Sequence, residues 1–175
     1  LPNQNDPTAY PHQVIQNIKK AKDGTLWLGT AGGGLSQMTD KRKIKFKTWQ
    51  HKVGDSLSIQ NNLITDLTEI NEGKIWISTN TGIDLLDHGK FHHLSTIPGT
   101  SKYVSAMAIG KKNELWSVTE KEIIQWSPQG KAMFAYPKGK YDFNSIFVKK
   151  NGEIILWESK LDQFSDFTSN KIYLF

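Results

Sequence analysis

Apolar and polar residues alternate along this chain in short runs. Val14 to Ile18 and Leu63 to Leu67 show the two-residue period of a half-buried β-strand. Gly, Asn, Asp and Lys fill the intervals between such runs, as is typical of tight turns. The pattern predicts an all-β chain with essentially no helix.

One segment of this pattern repeats. Residues 23–30, Asp-Gly-Thr-Leu-Trp-Leu-Gly-Thr, recur at 72–79 and 112–119, and in a worn form at 151–157. The motif position holds Trp27, Trp76, Trp116 and then Ile155, at steps of 49, 40 and 39 residues. Repeats of this length indicate a repeat architecture before any local assignment is made.

Each copy has the same neighbours. A strand-like run precedes it, and an apolar pair and a further strand-like piece follow it. The predicted apolar pairs are Gly34-Leu35, Gly82-Ile83, Glu122-Ile123 and Lys160-Leu161, and the closing strands are 44–49, 91–94, 132–136 and 171–175. Four short antiparallel strands per unit of about 40 residues are typical of a β-propeller blade. The predicted blades are residues 12–50, 62–95, 103–136 and 142–175, with a linker at 51–61.

At these residues the chain resembles the two-component regulator propeller repeat, whose units read Asp-x-x-Gly-x-Leu-Trp-Leu-Gly-Thr followed by Gly-Gly-Leu. The first copy, residues 23–35, matches almost residue for residue, and residues 55–64 resemble the family's linker into the next blade. The fourth copy matches least, because Ile155 replaces Trp and the Gly-Thr ending is lost.

The resemblance implies a ligand-sensing, non-catalytic segment of a bacterial membrane receptor, located in the periplasm. In such receptors the output is a histidine kinase or a diguanylate cyclase. We expect an excised segment, an arc of a larger propeller, with an unidentified small molecule or oligosaccharide as ligand. A propeller enzyme acting on oligosaccharides and a protein-interaction scaffold are the alternatives.

The propeller topology also predicts where a ligand binds. Turns between second and third strands share one end of the barrel with the connections between blades, and long loops on a rigid scaffold carry binding residues. The residues predicted at this face are His51, Asn80, Thr81, Glu120, Lys121, Ser159 and Lys160.

Other chemistry has less support. The run Gly32-Gly33-Gly34 lacks the Lys-Ser/Thr of a phosphate-binding loop and reads as a turn. His88, His92 and His93 form a cluster, but a hairpin turn at His88 and strand alternation beyond it argue against a metal site. The acidic residues fall mainly in predicted turns, and no cofactor is indicated.

The net charge of +5 comes from 22 basic and 17 acidic residues, and Arg42 is the only arginine. A chain so poor in arginine lacks the bidentate group that reads nucleic acids, so no nucleic-acid partner is expected. The chain has no Cys, which excludes disulfides and thiolate metal sites. We expect contact with a membrane only through parts of a longer polypeptide, and a homodimer formed through the last blade, which ends in an apolar strand.

Overall fold

The computed structural model describes residues 6, 8–9, 12–71, 73–94, 102–139, 141–158 and 171–174. Strands and turns make up these ranges, and no helix occurs within them. The predicted all-β class is confirmed. In the same ranges, no helix is long and apolar enough to cross a membrane.

Unit 1, Leu1–Leu94, contains two antiparallel sheets, each built from four consecutive strands. The strands of the first sheet are β1 Ile15–Lys20, β2 Leu26–Thr30, β3 Leu35–Asp40 and β4 Lys45–Trp49. Those of the second sheet are β5 Ile64–Asn71, β6 Lys74–Thr79, β7 Gly82–Asp87 and β8 Lys90–His93.

Unit 2, Ser95–Phe175, has a four-stranded sheet and a sheet with three described strands. The first holds β9 Val104–Ile109, β10 Leu115–Thr119, β11 Glu122–Trp126 and β12 Ala132–Pro137. The second holds β13 Phe143–Val148, β14 Ile154–Glu158 and β15 Lys171–Leu174.

The last strand differs from its expected place. We expected residues 171–175 to close the fourth blade, but β15 pairs directly with β14 and so takes the third position of its sheet. Ile172 lies opposite Trp157, just as Ile83 lies opposite Ser78 in unit 1. The strand therefore matches the "Gly-Ile" strand of the repeat, and the predicted pair Lys160-Leu161 lies outside the described residues.

The turn before each motif strand has a left-handed residue at one fixed position. Gly24, Gly73 and Gly152 have φ values of 84°, 75° and 97°, and Asn113 has 61° in the third copy. Glycine adopts this conformation at no steric cost, and asparagine tolerates it better than most residues. The four turns therefore enter the motif strand with the same left-handed backbone conformation.

The core of unit 1 lies between its two sheets. The rings of Trp27 and Trp49 stack with centroids 5.7 Å apart, and Phe91 meets Trp49 edge-on at 6.4 Å. Leu35, Ile75 and other buried apolar residues complete this cluster. Trp49 therefore packs against the core of this unit.

The core of unit 2 also lies between its sheets. Val118, Phe143 and Leu156 belong to its buried cluster. Trp116 occupies the motif position of the third repeat, yet it is only half-buried and packs against this cluster. Tyr136 of β12 stacks on Trp116 with centroids 6.0 Å apart.

The other face of the first sheet is not uniformly open to water. Leu28 and Phe46 are buried on this face. The main-chain N–H of Phe46 donates to the carbonyl of Thr8 at 2.7 Å, so a residue ahead of β1 lies along β4. Ile18, in contrast, is 66% exposed.

Candidate functional site

The turn that joins the second and third strands is held in each complete sheet by the threonine that ends the motif. The Thr30 hydroxyl donates to the carbonyl of Gly34 at 2.9 Å and accepts from the N–H of Gly33 at 2.8 Å. Thr79 and Thr119 make the same kind of bonds within their own turns. A buried hydroxyl that satisfies turn backbone groups explains why the repeat ends in Thr.

We call the end of a unit that carries these turns its turn end. In unit 1 the connection between the sheets runs across it. The carbonyl of Asn62 accepts from the N–H groups of Gly32 and Gly34 at 3.1 and 2.9 Å, and the carbonyl of Leu63 accepts from the N–H of Asn80 at 3.2 Å. The connection and the two turns therefore share one end of the unit, as the topology predicted.

The connecting loop, residues 51–61, is held by its own hydrogen bonds. The Ser58 hydroxyl accepts from the N–H of Lys52 at 2.9 Å and donates to the carbonyl of Asp55 at 2.9 Å. Two apolar side chains of this loop point into solvent, since Val53 is 95% exposed and Leu57 is 76% exposed. A long loop with internal bonding is a preformed surface rather than a loose connection.

A buried carboxylate ties this loop to the second sheet. Asp84 of β7 has no exposed surface. Its two oxygens accept from the main-chain N–H of Gln60 at 2.9 Å and from the Gln60 side-chain amide at 2.7 Å. The Gln60 amide also donates to the carbonyl of Ile83 at 3.0 Å. Buried charge is tolerated when it is hydrogen-bonded in this way.

His93 of β8 extends the same network to the middle of the loop. Its Nδ1 lies 2.6 Å from the Asp84 carboxylate, and its Nε2 lies 2.7 Å from the carbonyl of Ser56. Both partners are acceptors, so a doubly protonated ring satisfies both contacts. The imidazole bridges a buried acid to the loop backbone.

The turn end of unit 2 is built around a buried lysine. The Nζ of Lys138 donates to the carbonyls of Thr119 and Phe143 at 2.8 and 3.2 Å. Its main-chain N–H donates to the carbonyl of Lys121 at 2.8 Å. The connection between the two sheets of unit 2 is thus pinned to the turn that precedes β11.

Burial lowers the pKa of the Lys138 ammonium from its usual value, and the acidic groups around it oppose that shift. The Oδ1 of Asp142 lies 4.0 Å from the Nζ of Lys138. Like Asp142, the carboxylates of Glu120, Glu122 and Glu158 raise the pKa of Lys138 by electrostatic attraction. Because two of its protons are committed to backbone carbonyls, Lys138 acts here as a structural clamp and not as an exposed nucleophile.

The structure distributes the predicted site residues over both units. His51, Asn80 and Thr81 are exposed at the turn end of unit 1. Glu120 and Lys121 are exposed at the turn end of unit 2. Ser159 and Lys160 lie outside the described residues.

Sequence reasoning missed the Asp84 network. The available signal was an acidic residue at an inward position of an otherwise apolar strand, Gly-Ile-Asp-Leu-Leu. His93 was considered only as a metal ligand. Within the ranges that the structure describes, no group of three His, Cys, Asp or Glu side chains could hold a metal ion.

Comparison with protein families adds an independent observation. Residues 9–32 match the family model of the two component regulator propeller. The resemblance inferred from the repeat is confirmed on these residues. No curated protein matches the sequence.

Solved structures share the fold of this propeller chain. One is the extracellular domain of a B. thetaiotaomicron protein assigned as a hybrid two component system, with a TM-score of 0.68 and 19% identity over 94% of this chain and 23% of that one. Another is the extracellular domain of a protein from the same organism assigned as a one component system, with a TM-score of 0.66 and 16% identity over 86% and 20%.

An enzyme also shares the fold. Virginiamycin B lyase from Staphylococcus aureus matches with a TM-score of 0.65 and 19% identity over 90% of this chain and 54% of the lyase. These likenesses confirm the β-propeller class. The chain spans about a quarter or less of the two extracellular domains and about half of the lyase.

Proposed function

We propose that this chain is part of the extracytoplasmic, ligand-sensing region of a bacterial membrane signalling receptor, and that it is not catalytic. The match of residues 9–32 to the two component regulator propeller carries the proposal. The likeness in fold to extracellular domains of two signalling proteins supports it. A periplasmic location follows from the same proposal.

The ligand surface of this proposal is the turn end of unit 1. There the loop 51–61 is held in place by Gln60, Asp84 and His93, while His51, Asn80 and Thr81 remain exposed. A prearranged polar surface beside exposed apolar groups suits an oligosaccharide or another small polar molecule.

The test is a binding screen with short neutral and acidic oligosaccharides, read by thermal unfolding and confirmed by calorimetry. We expect one class to raise the midpoint of unfolding, and Asn80→Ala or Thr81→Ala to weaken its binding about tenfold. The control is Lys90→Ala, an exposed residue that follows the β7–β8 turn at the opposite end of the same sheet.

The same samples address the enzyme alternative. Turnover of any oligosaccharide in the screen would contradict the non-catalytic proposal. If Lys90→Ala and Thr81→Ala change the affinity equally, the ligand does not bind at the turn end.

A further inference from the structure

The loop of residues 51–61 is tied to the second sheet of unit 1 at two places. Near its end, the main-chain N–H and the side-chain amide of Gln60 donate to the buried Asp84 carboxylate. At its middle, the carbonyl of Ser56 lies 2.7 Å from the Nε2 of His93. In the described part of the chain, the other hydrogen bonds of residues 53–57 stay within the loop. The His93 ring is therefore what holds the middle of the loop to the sheet.

This contact needs both protons of the imidazole. The Nδ1 of His93 lies 2.6 Å from the Asp84 carboxylate, and both that carboxylate and the Ser56 carbonyl are acceptors. A neutral imidazole has a single N–H, so it can donate to only one of them. Loss of one proton therefore places a lone pair of a ring nitrogen against an acceptor oxygen.

The two acceptors are not equivalent. The Asp84 side chain has no exposed surface, and a hydrogen bond to a charged acceptor in such surroundings is about twice as strong as one between neutral groups. A neutral His93 ring therefore keeps its proton on Nδ1, and the lone pair of Nε2 faces the Ser56 oxygen. Because the His93 side chain is 32% exposed, the proton of Nε2 can pass to water.

The charged groups around this ring come from three elements. In the described part of the chain, Asp84 is the one acid that forms an ion pair with His93. The Nδ1 of His51 lies 2.9 Å from the carbonyl of Ile59, a contact that a neutral ring satisfies. The other titratable side chains of these elements are Asp87 on β7, Lys90 and His92 on β8, and Lys52 and Asp55 in the loop.

From these contacts we infer that His93 is a pH-dependent latch of the loop. With the ring doubly protonated, residues 53–57 are held against β8. With the ring neutral, the Ser56 carbonyl is repelled and the middle of the loop leaves the sheet, while Gln60 stays bound to Asp84. The exposed side chains of Val53 and Leu57 move with it, so the turn end presents different surfaces at low and high pH.

The inference goes beyond the proposed sensing function and does not depend on it, because it concerns the free chain. The experiment places a nitroxide spin label at residue 53 through Val53→Cys. The chain has no cysteine of its own and Val53 is 95% exposed, so the label is unique and does not disturb packing.

Electron paramagnetic resonance spectra measure the ratio of immobile to mobile label between about pH 5 and 8, the range in which histidine titrates. We expect this ratio to fall about tenfold as the pH rises, which is the effect of losing one hydrogen bond.

Three variants identify the titrating group. His93→Gln should abolish the pH response, because its amide does not titrate. His92→Gln is the matched control, since it makes the same substitution at the adjacent exposed position of β8 and should keep the response. His51→Gln should also keep it, which separates the latch from the histidine of the loop itself.

Nitrogen-15 NMR of the His93 ring tests the latch in the natural chain without any substitution. We expect Nδ1 to keep its proton throughout, and Nε2 to lose its proton with the same midpoint as the change in label mobility.

A label mobility that does not depend on pH would overturn the inference. A response that persists in His93→Gln, or that is lost in His51→Gln, would do the same. So would a neutral His93 ring protonated at Nε2, because the Ser56 contact would then survive at high pH.

Discussion

Asp84 and His93, on adjacent strands, form a pair in which a carboxylate without exposed surface lies 2.6 Å from a ring nitrogen at the protein surface. The pair links the interior of the second sheet to the loop that crosses its turn end. Removal of the acid takes the acceptor away from three nitrogen atoms, which are the main-chain N of Gln60, the Gln60 side-chain amide N and the Nδ1 of His93, although the amide keeps its bond to Ile83 and the His93 ring keeps its contact with Ser56.

Asp84→Ala should therefore lower the free energy of unfolding of unit 1 by about 3 kcal/mol, the usual loss when one partner of a buried charged network is deleted. Urea unfolding followed by tryptophan fluorescence measures the change. Asp87→Ala on the same strand is the control. Asp87 forms a partly exposed ion pair with Lys74 at 2.7 Å, whose loss costs less than about 1 kcal/mol. Equal losses would show that Asp84 does not anchor the loop.

Lys138 makes the stability of unit 2 depend on pH in the alkaline range. Its pKa is lowered in the folded chain, so the unfolded chain binds this proton more tightly. The free energy of unfolding should rise with pH between the lowered pKa and the unperturbed value of 10.5.

The measurement compares urea unfolding of the natural chain and of Lys138→Met across this pH range. The free energy of unfolding of the natural chain should rise relative to that of Lys138→Met as the pH rises. The effects of the other titrating groups are common to both proteins and cancel in this comparison. A difference independent of pH would mean that the Lys138 ammonium is not desolvated.

The Asp6 carboxylate reports on the segment ahead of β1. The hydrogen bond from Lys45, with further bonds from Thr8, lowers the pKa of Asp6 to about 2. Lys45→Met should raise that pKa toward 3.8, as seen by NMR titration of the carboxyl group. Lys47→Met should leave it unchanged, because Lys47 lies over the Trp49 ring. An unmoved Asp6 titration in the Lys45 variant would disprove the ion pair.

Two buried tryptophans differ in how their indole N–H is satisfied. The Nε1 of Trp126 donates to the Ser117 hydroxyl at 2.8 Å, whereas that of Trp76 has no hydrogen-bond partner in the described part of the chain. Both side chains are almost fully buried. Replacement by Phe should cost about 1 to 2 kcal/mol more at Trp126, which leaves a buried hydroxyl unpaired, and chemical denaturation measures both. A larger loss at Trp76 would indicate a partner for its indole.

Much of the fold can be predicted from the sequence because each repeat contains the residues that determine its own strands and turns. The apolar motif strand, its left-handed turn at Gly24 and Gly73, and the position of the turns at one end all follow from spacing and residue type. The position of β15 within its sheet does not follow from the sequence, because an apolar strand such as Lys-Ile-Tyr-Leu fits the third or fourth position equally well. Its pairing with β14 shows that it takes the third position.

The candidate site was less predictable. Exposed residues such as Asn80 and Thr81 follow from topology, but the Asp84–His93 bridge joins strands to a loop 37 residues away from His93. Contacts of that kind depend on tertiary packing. Their sign in the sequence is an acidic residue in an otherwise apolar strand.

In many loops the same residues both shape the turn and bind a ligand, but here the threonine that ends the motif shapes the turn by itself. Since the Thr79 hydroxyl and its neighbours in the motif already fix the path of the chain, the exposed tip at Asn80 and Thr81 does not need to shape the turn. Such tips can exchange side chains with little penalty to the sheet beneath them. One scaffold can therefore acquire new recognition surfaces by substitution at a few positions, in nature or in a mutagenic library.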